Sequence, residues 1–238
     1  MITLAIDTCE ARGSVAVLWD GGAVALNKHV DSSDYSVWLL PAVDEVLSES
    51  GTKMEQIDLL AVATGPGSFT GLRVGLTTVK AWSEVYGKPV VGVSRLEAIA
   101  RSEQTAAGFV AACYDAQRGQ LFGGLYRSLF GRRTQVCDER VSSPEEFVEF
   151  VSAEALGEKV TWISLDPQLI NDLDPLKQRL AKGDILRVCA PELAATIGVL
   201  AEERAKRGEF SDPLALDANY VRRSDAEIFW KGPATRVC

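Results

Sequence analysis

Three short apolar segments, separated by tight turns, open the chain and restrict the folds that it can adopt. The turns contain Gly13 and the pair Gly21-Gly22, and the segments cover residues 2–7, 14–19 and 23–30. Short strands joined by such turns predict an antiparallel meander. Helical and strand-like segments then alternate up to residue 105, and this order predicts a mixed sheet with helices packed against it.

The same outline is repeated from residue 109 onward. A second meander is predicted, and helical and strand-like segments again follow it; its strand-like segments cover residues 109–115, 120–127 and 134–141. We therefore predict an α/β protein of two closely packed lobes, residues 1–105 and 106–238. Each lobe should contain a mixed sheet with a β-meander and packed helices. No linker rich in Gly, Pro or Ser divides the two.

The charge of the chain argues against one class of partner. Its 238 residues include 25 Lys and Arg against 33 Asp and Glu, which gives a net charge of −8. Nucleic acid backbones are bound mainly by Lys and Arg. We therefore do not expect this chain to bind a nucleic acid without a partner protein.

The scattered cysteines and the lack of long apolar runs indicate the cellular compartment of the protein. The five cysteines are scattered and form no CxxC pair, which fits neither a zinc site nor a disulfide framework. The N-terminal sequence has no basic stretch followed by a long apolar one, and no run approaches the ~18 apolar residues of a membrane span. We expect a protein of the reducing cytoplasm that does not associate with a membrane.

Residues 63–73, with the sequence ATGPGSFTGLR, form a glycine-rich loop before a predicted helix. The loop is no P-loop, since no GK[ST] follows, and no dinucleotide fingerprint, since its glycines are spaced differently and Pro66 has no N–H. Ser68 is a natural N-cap for a helix that ends at Gly87. Two interpretations stay open: a tight turn that aims the helix, or an anion site at the free amides of Ser68, Phe69 and Thr70, which open the helix. The loop and cap residues are Gly65, Pro66, Gly67, Ser68, Phe69, Thr70, Gly71 and Arg73.

The helix after this loop has apolar or small residues on both sides of a narrow polar stripe. A surface helix normally shows one apolar stripe, so this helix is predicted to be covered on two sides. The preceding helix also has a second stripe, outside a main core face that includes Leu39, Leu40 and Val43. Interior packing and a protein interface both explain the pattern, and two such helices in succession favour an interface. The interface candidates are Tyr35, Trp38, Ala42, Val74, Thr78 and Trp82.

The chain lacks the residues that most enzyme sites need. His29 is its only histidine, too few for a two-histidine metal site, and we expect a surface or half-buried strand residue. No cysteine has a histidine near it in the sequence. We therefore predict no catalytic residue and no metal ligand. Asp7 is the one acidic residue that stands out as a candidate, because it ends the first strand just before a turn. It either caps that turn or belongs to a nucleotide site.

With these residues assembled, the sequence resembles the TsaB family, formerly called YeaZ. The resemblance covers nearly the whole chain, is most specific at GPGSFTGLR and is weakest across residues 140–215. Its motifs are LAIDTCEARGSVAVL, LLPAVDEVL, ATGPGSFTGLRVGLTTVKAW, DAQRGQLFGGLYR and ANYVRRSDAE. The resemblance implies the two-lobe actin-like, Hsp70-like (ASKHA) fold.

The resemblance also implies a role. TsaB-like proteins are non-catalytic scaffold or dimerization subunits that bind and activate the catalytic subunit TsaD, and the ATPase TsaE joins them. Together they transfer a threonylcarbamoyl group to the adenosine next to the tRNA anticodon. The resemblance therefore implies that this chain contacts tRNA only as part of the complex. In this family the first two helices contact TsaD. We expect a homodimer when TsaD is absent and no cofactor, apart from the option of ATP or ADP at the junction with TsaD.

Some positions depart from the patterns that the resemblance implies. Cys9 and Glu10 follow Asp7 where actin-like ATPases have a phosphate-binding glycine, so Asp7 is at most a vestigial nucleotide site. Tyr35 stands where many family members have a histidine. The metal-binding H-x-x-x-H motif of TsaD is missing. The alternatives that stay open are an active small-molecule kinase or ATPase of the actin-like superfamily and a glycoprotease-like peptidase.

Overall fold

The computed structural model describes residues 1–29, 34–103, 107–129 and 132–222. Within them the chain forms two mixed sheets with helices on their faces, as predicted. The predicted lobe boundary between residues 105 and 106 lies outside the described residues, as does the part of the ANYVRRSDAE motif from residue 223. None of the helices in the described ranges is both long enough and apolar enough to cross a membrane.

The first sheet contains five strands: β1 (Ile2–Asp7), β2 (Ser14–Trp19), β3 (Gly22–Lys28), β4 (Leu59–Ala63) and β5 (Val90–Val93). Their order across the sheet is β3-β2-β1-β4-β5. The first three strands are antiparallel, which confirms the predicted meander. Strands β4 and β5 run parallel to β1, so the chain crosses over the sheet through a helix each time.

Three helices belong to this half: α1 (Tyr35–Glu49), α2 (Phe69–Tyr86) and α3 (Arg95–Arg101). Helices α1 and α2 pack on one face of the first sheet and share an apolar core with β1 and β2. The predicted cap of α2 is confirmed, because the hydroxyl of Ser68 accepts from the amide of Gly71 at 3.4 Å. Gly87 ends the helix in the left-handed conformation, as predicted.

The second sheet contains six strands: β6 (Ala107–Gln117), β7 (Gln120–Leu129), β8 (Arg132–Gln135), β9 (Arg140–Ser142), β10 (Val160–Ser164) and β11 (Ile185–Val188). Their order is β11-β10-β6-β7-β8, and β9 also pairs with β7. The prediction of one strand across 134–141 is wrong. Both β8 and β9 pair with β7, but the register shifts by two residues between them. The residues between β8 and β9 therefore cannot continue the same ladder with β7. Helices α4 (Pro144–Glu154) and α5 (Asp174–Ala181) lie in this half.

The last helix, α6 (Ala194–Ala205), packs on the first sheet although it follows the second in sequence. Its apolar stripe joins a core with Leu18, and Gly198 lies so close to Leu18 that a Cβ would overlap the leucine side chain. Farther on, Ser211 forms a β-bridge with Val90. The range 106–238, predicted as the second lobe, therefore includes a helix and a following segment that pack on the first sheet.

Gly71 lies in the first turn of α2, where the helix crosses the turn after β1. A Cβ at this position would overlap the carbonyl oxygen of Thr8. We expect Gly71→Ala to lower the free energy of unfolding, measured by urea denaturation, by about 1–2 kcal/mol, because over-packing outweighs the gain in helix propensity. Thr77→Ala, at an exposed position of the same helix, should be nearly neutral. A Gly71→Ala variant as stable as the wild type would contradict this close approach.

Candidate functional site

The glycine-rich loop packs against the turn that follows β1. The amide of Ser68 donates to the carbonyl oxygen of Cys9 at 2.6 Å, and a Cβ on Gly67 would overlap the same oxygen. The prediction of a free amide at Ser68 is therefore wrong, because Cys9 already accepts from it. The contact fixes the start of α2 against the first turn.

Asp7 is fully buried at the end of β1, and both of its carboxylate oxygens accept from protein donors. Oδ1 accepts from the amide of Cys9 at 3.0 Å, which is the turn-capping role that the sequence left open. Oδ2 accepts from Nε of Arg95 at 2.9 Å. Sequence reasoning missed Arg95, because it lies 88 residues from Asp7 and only the fold brings the two together.

Arg95, the first residue of α3, has no exposed side-chain surface. Its Nη2 donates to Glu10 at 2.9 Å, and its guanidinium carbon lies 4.7 Å from the ring centroid of Tyr114 in β6. Burial opposes the charge of Arg95, but Asp7 and Glu10 outweigh burial, so its pKa lies well above the ordinary value. Arg95 therefore stays a cation and links the first turn to the second sheet.

Glu10, the other carboxylate of this turn, is paired as well. Arg12 donates to its two oxygens at 2.9 and 3.0 Å, and another nitrogen of Arg12 lies 3.1 Å from Asp166 after β10. The carboxylates at the first turn thus already have guanidinium partners. Across the described ranges of the chain, no cluster of three His, Cys, Asp or Glu residues is arranged to hold a metal ion.

A cleft of about 400 Å³ opens between the two halves of the molecule beside this network. Its size is within the range of small-molecule sites, and Glu10, Phe69, Arg118 and Arg222 are among the residues that line it. The actin-like resemblance implies a nucleotide with a metal ion here. The residues present do not fit the metal, because Asp7 and Glu10 are engaged by guanidinium groups.

The predicted interface residues of α2 lie along one side of that helix. Val74, Thr78 and Trp82 are half-buried, and Val74 and Trp82 also contact the core of the first half. Val85, near the end of the helix, is 73% exposed and was absent from the predicted set. Only the outer part of these side chains is therefore accessible to a partner.

On α1 the prediction needs two corrections. Ala42, predicted at the interface, is 2% exposed and packs in the core, whereas Leu40, predicted in the core, is 57% exposed. Val37 is 67% exposed and was not predicted. The reason is the rotation of the helix: Leu39 faces the sheet, and successive residues turn by about 100°.

Tyr35 and Trp38 are half-buried near the start of α1. The hydroxyl of Tyr35 donates to the carbonyl oxygen of Glu10, and burial and then Asp7 raise the pKa of this phenol, which stays protonated. The ring of Tyr35 also lies 4.5 Å from that of His29. His29 was expected at the surface or half-buried, but it is buried, and its Nδ1 donates to the carbonyl oxygen of Ala11 at 2.6 Å.

A groove of about 390 Å³ runs between α1 and α2. It includes predicted interface residues from both helices and also Arg73 from the family loop. The residues that line it are Tyr35, Ser36, Leu39, Leu40, Arg73, Val74, Thr77 and Thr78. The structure thus brings Arg73 of the loop set to the same surface as Tyr35, Val74 and Thr78 of the interface set.

Comparison with known sequences finds similarity to two proteins of tRNA threonylcarbamoyladenosine formation, TsaD through a family model and TsaB through an individual relative. A family model described as "TsaD: tRNA N6-adenosine threonylcarbamoyltransferase" matches residues 29–228. The chain is 28% identical over 235 residues to the tRNA threonylcarbamoyladenosine biosynthesis protein TsaB of Bacillus subtilis. The alignment covers 97% of this chain and 98% of that relative.

Solved structures give the fold. A protein described as having similarity to the peptidase YeaZ, from Pseudomonas aeruginosa, superposes with a TM-score of 0.71 at 26% identity over 93% of this chain and 99% of that one. The ROK hexokinase of Thermus thermophilus superposes with a TM-score of 0.53 at 12% identity over 87% of this chain and 100% of that one, and shares the fold alone. The predicted actin-like (ASKHA) fold is confirmed, and the chain belongs to the TsaB (YeaZ) family.

Proposed function

We propose that the chain is a non-catalytic scaffold subunit that binds and activates a TsaD-like catalytic subunit, together with a TsaE-like ATPase. The complex would transfer a threonylcarbamoyl group to the adenosine next to the tRNA anticodon. The observation that carries the proposal is the exposed apolar surface of α1 and α2, with Val37, Leu40 and Val85. Large apolar patches on a protein surface typically mark interaction sites. The net charge of −8 supports the part of the proposal in which the partner, not this chain, binds the tRNA.

The network around Arg95 supports the non-catalytic part of the proposal. Asp7 and Glu10 accept from guanidinium groups, which leaves neither carboxylate free to hold a metal for phosphoryl transfer. The buried thiols are poor nucleophiles, because burial raises the pKa of Cys113 to about 12 and raises that of Cys9 well above its ordinary value. No geometry among the described residues favours the kinase or the peptidase alternative.

The same apolar surface leads to a proposal for the isolated protein. Without TsaD, Leu40 and its neighbours would face water, and a second copy of the chain would cover them in a homodimer. ATP or ADP at the junction with TsaD stays a prediction. If a nucleotide enters the cleft, Arg118 and Arg222 are the cationic residues of its lining.

Asp7→Asn tests the role of the buried network. Loss of one partner of a buried ion pair costs about 3–5 kcal/mol, and we expect the free energy of unfolding, measured by urea denaturation, to fall by that amount. Asp172→Asn, at an exposed position, is the matched control and should be neutral. The wild-type chain alone should not turn over ATP in a coupled assay. Steady turnover that Asp7→Asn abolishes without loss of stability would contradict the non-catalytic role.

Leu40→Asp tests the partner surface. We expect the variant to fold normally and to bind the TsaD-like subunit of the same organism about a hundredfold or more weakly in calorimetry, because a buried unpaired charge costs several kcal/mol. Val74→Arg and Thr78→Arg should weaken binding too, with melting measured in parallel because Val74 also contacts the core. Leu156→Asp, at an exposed leucine of the second half, should bind like the wild type. Normal binding by folded Leu40→Asp would reject this surface.

The homodimer has a separate test in light scattering. At micromolar concentrations and without TsaD, the wild-type chain should have the mass of a dimer, and Leu40→Asp should have the mass of a monomer, since the charge would be buried at the contact. A monomeric wild type would remove the dimer from the proposal. A Leu40→Asp dimer would place the dimer contact elsewhere.

A further inference from the structure

The groove between α1 and α2 is neutral except at one position. Of the eight described residues that line it, Arg73 alone has a charged side chain. Its neighbours in the groove include Leu40, Val74 and Thr77. A partner segment that fills this groove therefore meets an apolar floor and one cation at the N-terminal end of α2.

The side chain of Arg73 is exposed, yet its direction is restricted by two aromatic rings. Its Nε donates to the hydroxyl of Tyr220 at 3.2 Å, and its guanidinium carbon lies 5.9 Å from the ring centroid of Phe69. The rings of Phe69 and Tyr220 are stacked, with centroids 4.7 Å apart and 13° between their planes. Arg73 thus lies beside a stacked aromatic pair that joins the family loop to the C-terminal segment.

Tyr220 is 38% exposed, but the residues on both sides of it are anchored. The amide of Asn219 donates to the carbonyl oxygen of Thr64 at 2.7 Å, and its side chain donates to Glu139 at 2.6 Å. Arg222 donates to the carbonyl oxygen of Ala116 at 2.9 Å. These bonds to both halves of the molecule hold the Tyr220 ring in place.

The contact with Tyr220 uses only the Nε–H of Arg73. Within residues 1–29, 34–103, 107–129 and 132–222, its two terminal amino groups donate to no protein acceptor. Those two groups form the fork that binds a carboxylate through two parallel hydrogen bonds. Because Tyr220 and Phe69 already restrict the side chain, Arg73 loses less conformational entropy than a free arginine when it binds.

We propose that Arg73, positioned by Tyr220, determines the specificity of this surface by binding a carboxylate of the partner. The occupant would be a segment of the TsaD-like subunit with an Asp or Glu next to an apolar side chain that fills the groove. The proposal rests on the proposed function. A net charge of −8 makes most of this chain repel a carboxylate, so Arg73 would also fix the register of the partner.

The test compares four variants for TsaD binding by calorimetry at low and high salt, with melting temperatures recorded for each. Arg73→Gln should weaken binding about tenfold to hundredfold and reduce its salt dependence, because an ion pair is lost. Arg73→Lys should recover only part of the affinity, since an ammonium group cannot bind a carboxylate through a fork. Tyr220→Phe, which keeps the ring stack, should weaken binding about threefold to tenfold without a change in melting temperature. Arg187→Gln, at an exposed position of β11, should bind like the wild type.

Three results would overturn the inference. Normal binding by Arg73→Gln, while Leu40→Asp fails to bind, would leave the proposed function intact and reject the carboxylate contact. A loss of affinity in Arg73→Gln that leaves the salt dependence unchanged would also reject it, because Arg73 would then act only by holding the C-terminal segment. If Leu40→Asp binds normally, the proposed surface itself fails, and the inference fails with it.

Discussion

Arg95 lies without exposed side-chain surface between Asp7 and Glu10, with its guanidinium over the ring of Tyr114. A buried cation is tolerated only when it is paired, and these partners come from the end of β1, the first turn and β6. A shift of the second sheet would separate the ring of Tyr114 from Arg95 and Asp166 from Arg12, whereas Asp7 and Glu10 would stay paired with Arg95. The hydroxyl of Tyr114 also donates to the carbonyl oxygen of Pro66, so the glycine-rich loop belongs to the same network.

From the first turn the constraint extends to both helices of the candidate partner surface. The carbonyl oxygen of Cys9 accepts from the amide of Ser68 at the start of α2, and that of Glu10 accepts from the hydroxyl of Tyr35 at the start of α1. Two adjacent carbonyl groups thus position the first turns of both helices. The groove between the helices depends on this turn, and therefore on the ion pairs that hold it.

The fold of this chain is shared with enzymes and does not by itself determine its activity. A hexokinase superposes on it at 12% identity. At the end of β1, guanidinium groups already pair with Asp7 and Glu10. A nitrogen of Arg12 also lies 3.1 Å from Asp166 after β10, so this network links the first turn to the second half.

The sequence alone determined the order of the elements in the first half, the first meander, the cap at Ser68, the end at Gly87 and the family, because these depend on residues a few positions apart. Only the tertiary structure decided which residues of α1 are exposed, since Leu40 and Ala42 both suit an amphipathic pattern and the sheet sets the rotation of the helix. It also decided that α6 packs on the first sheet, because an apolar stripe does not specify what covers it. The Arg95 network has no local signal for the same reason: its partners meet only when distant parts of the chain are packed together.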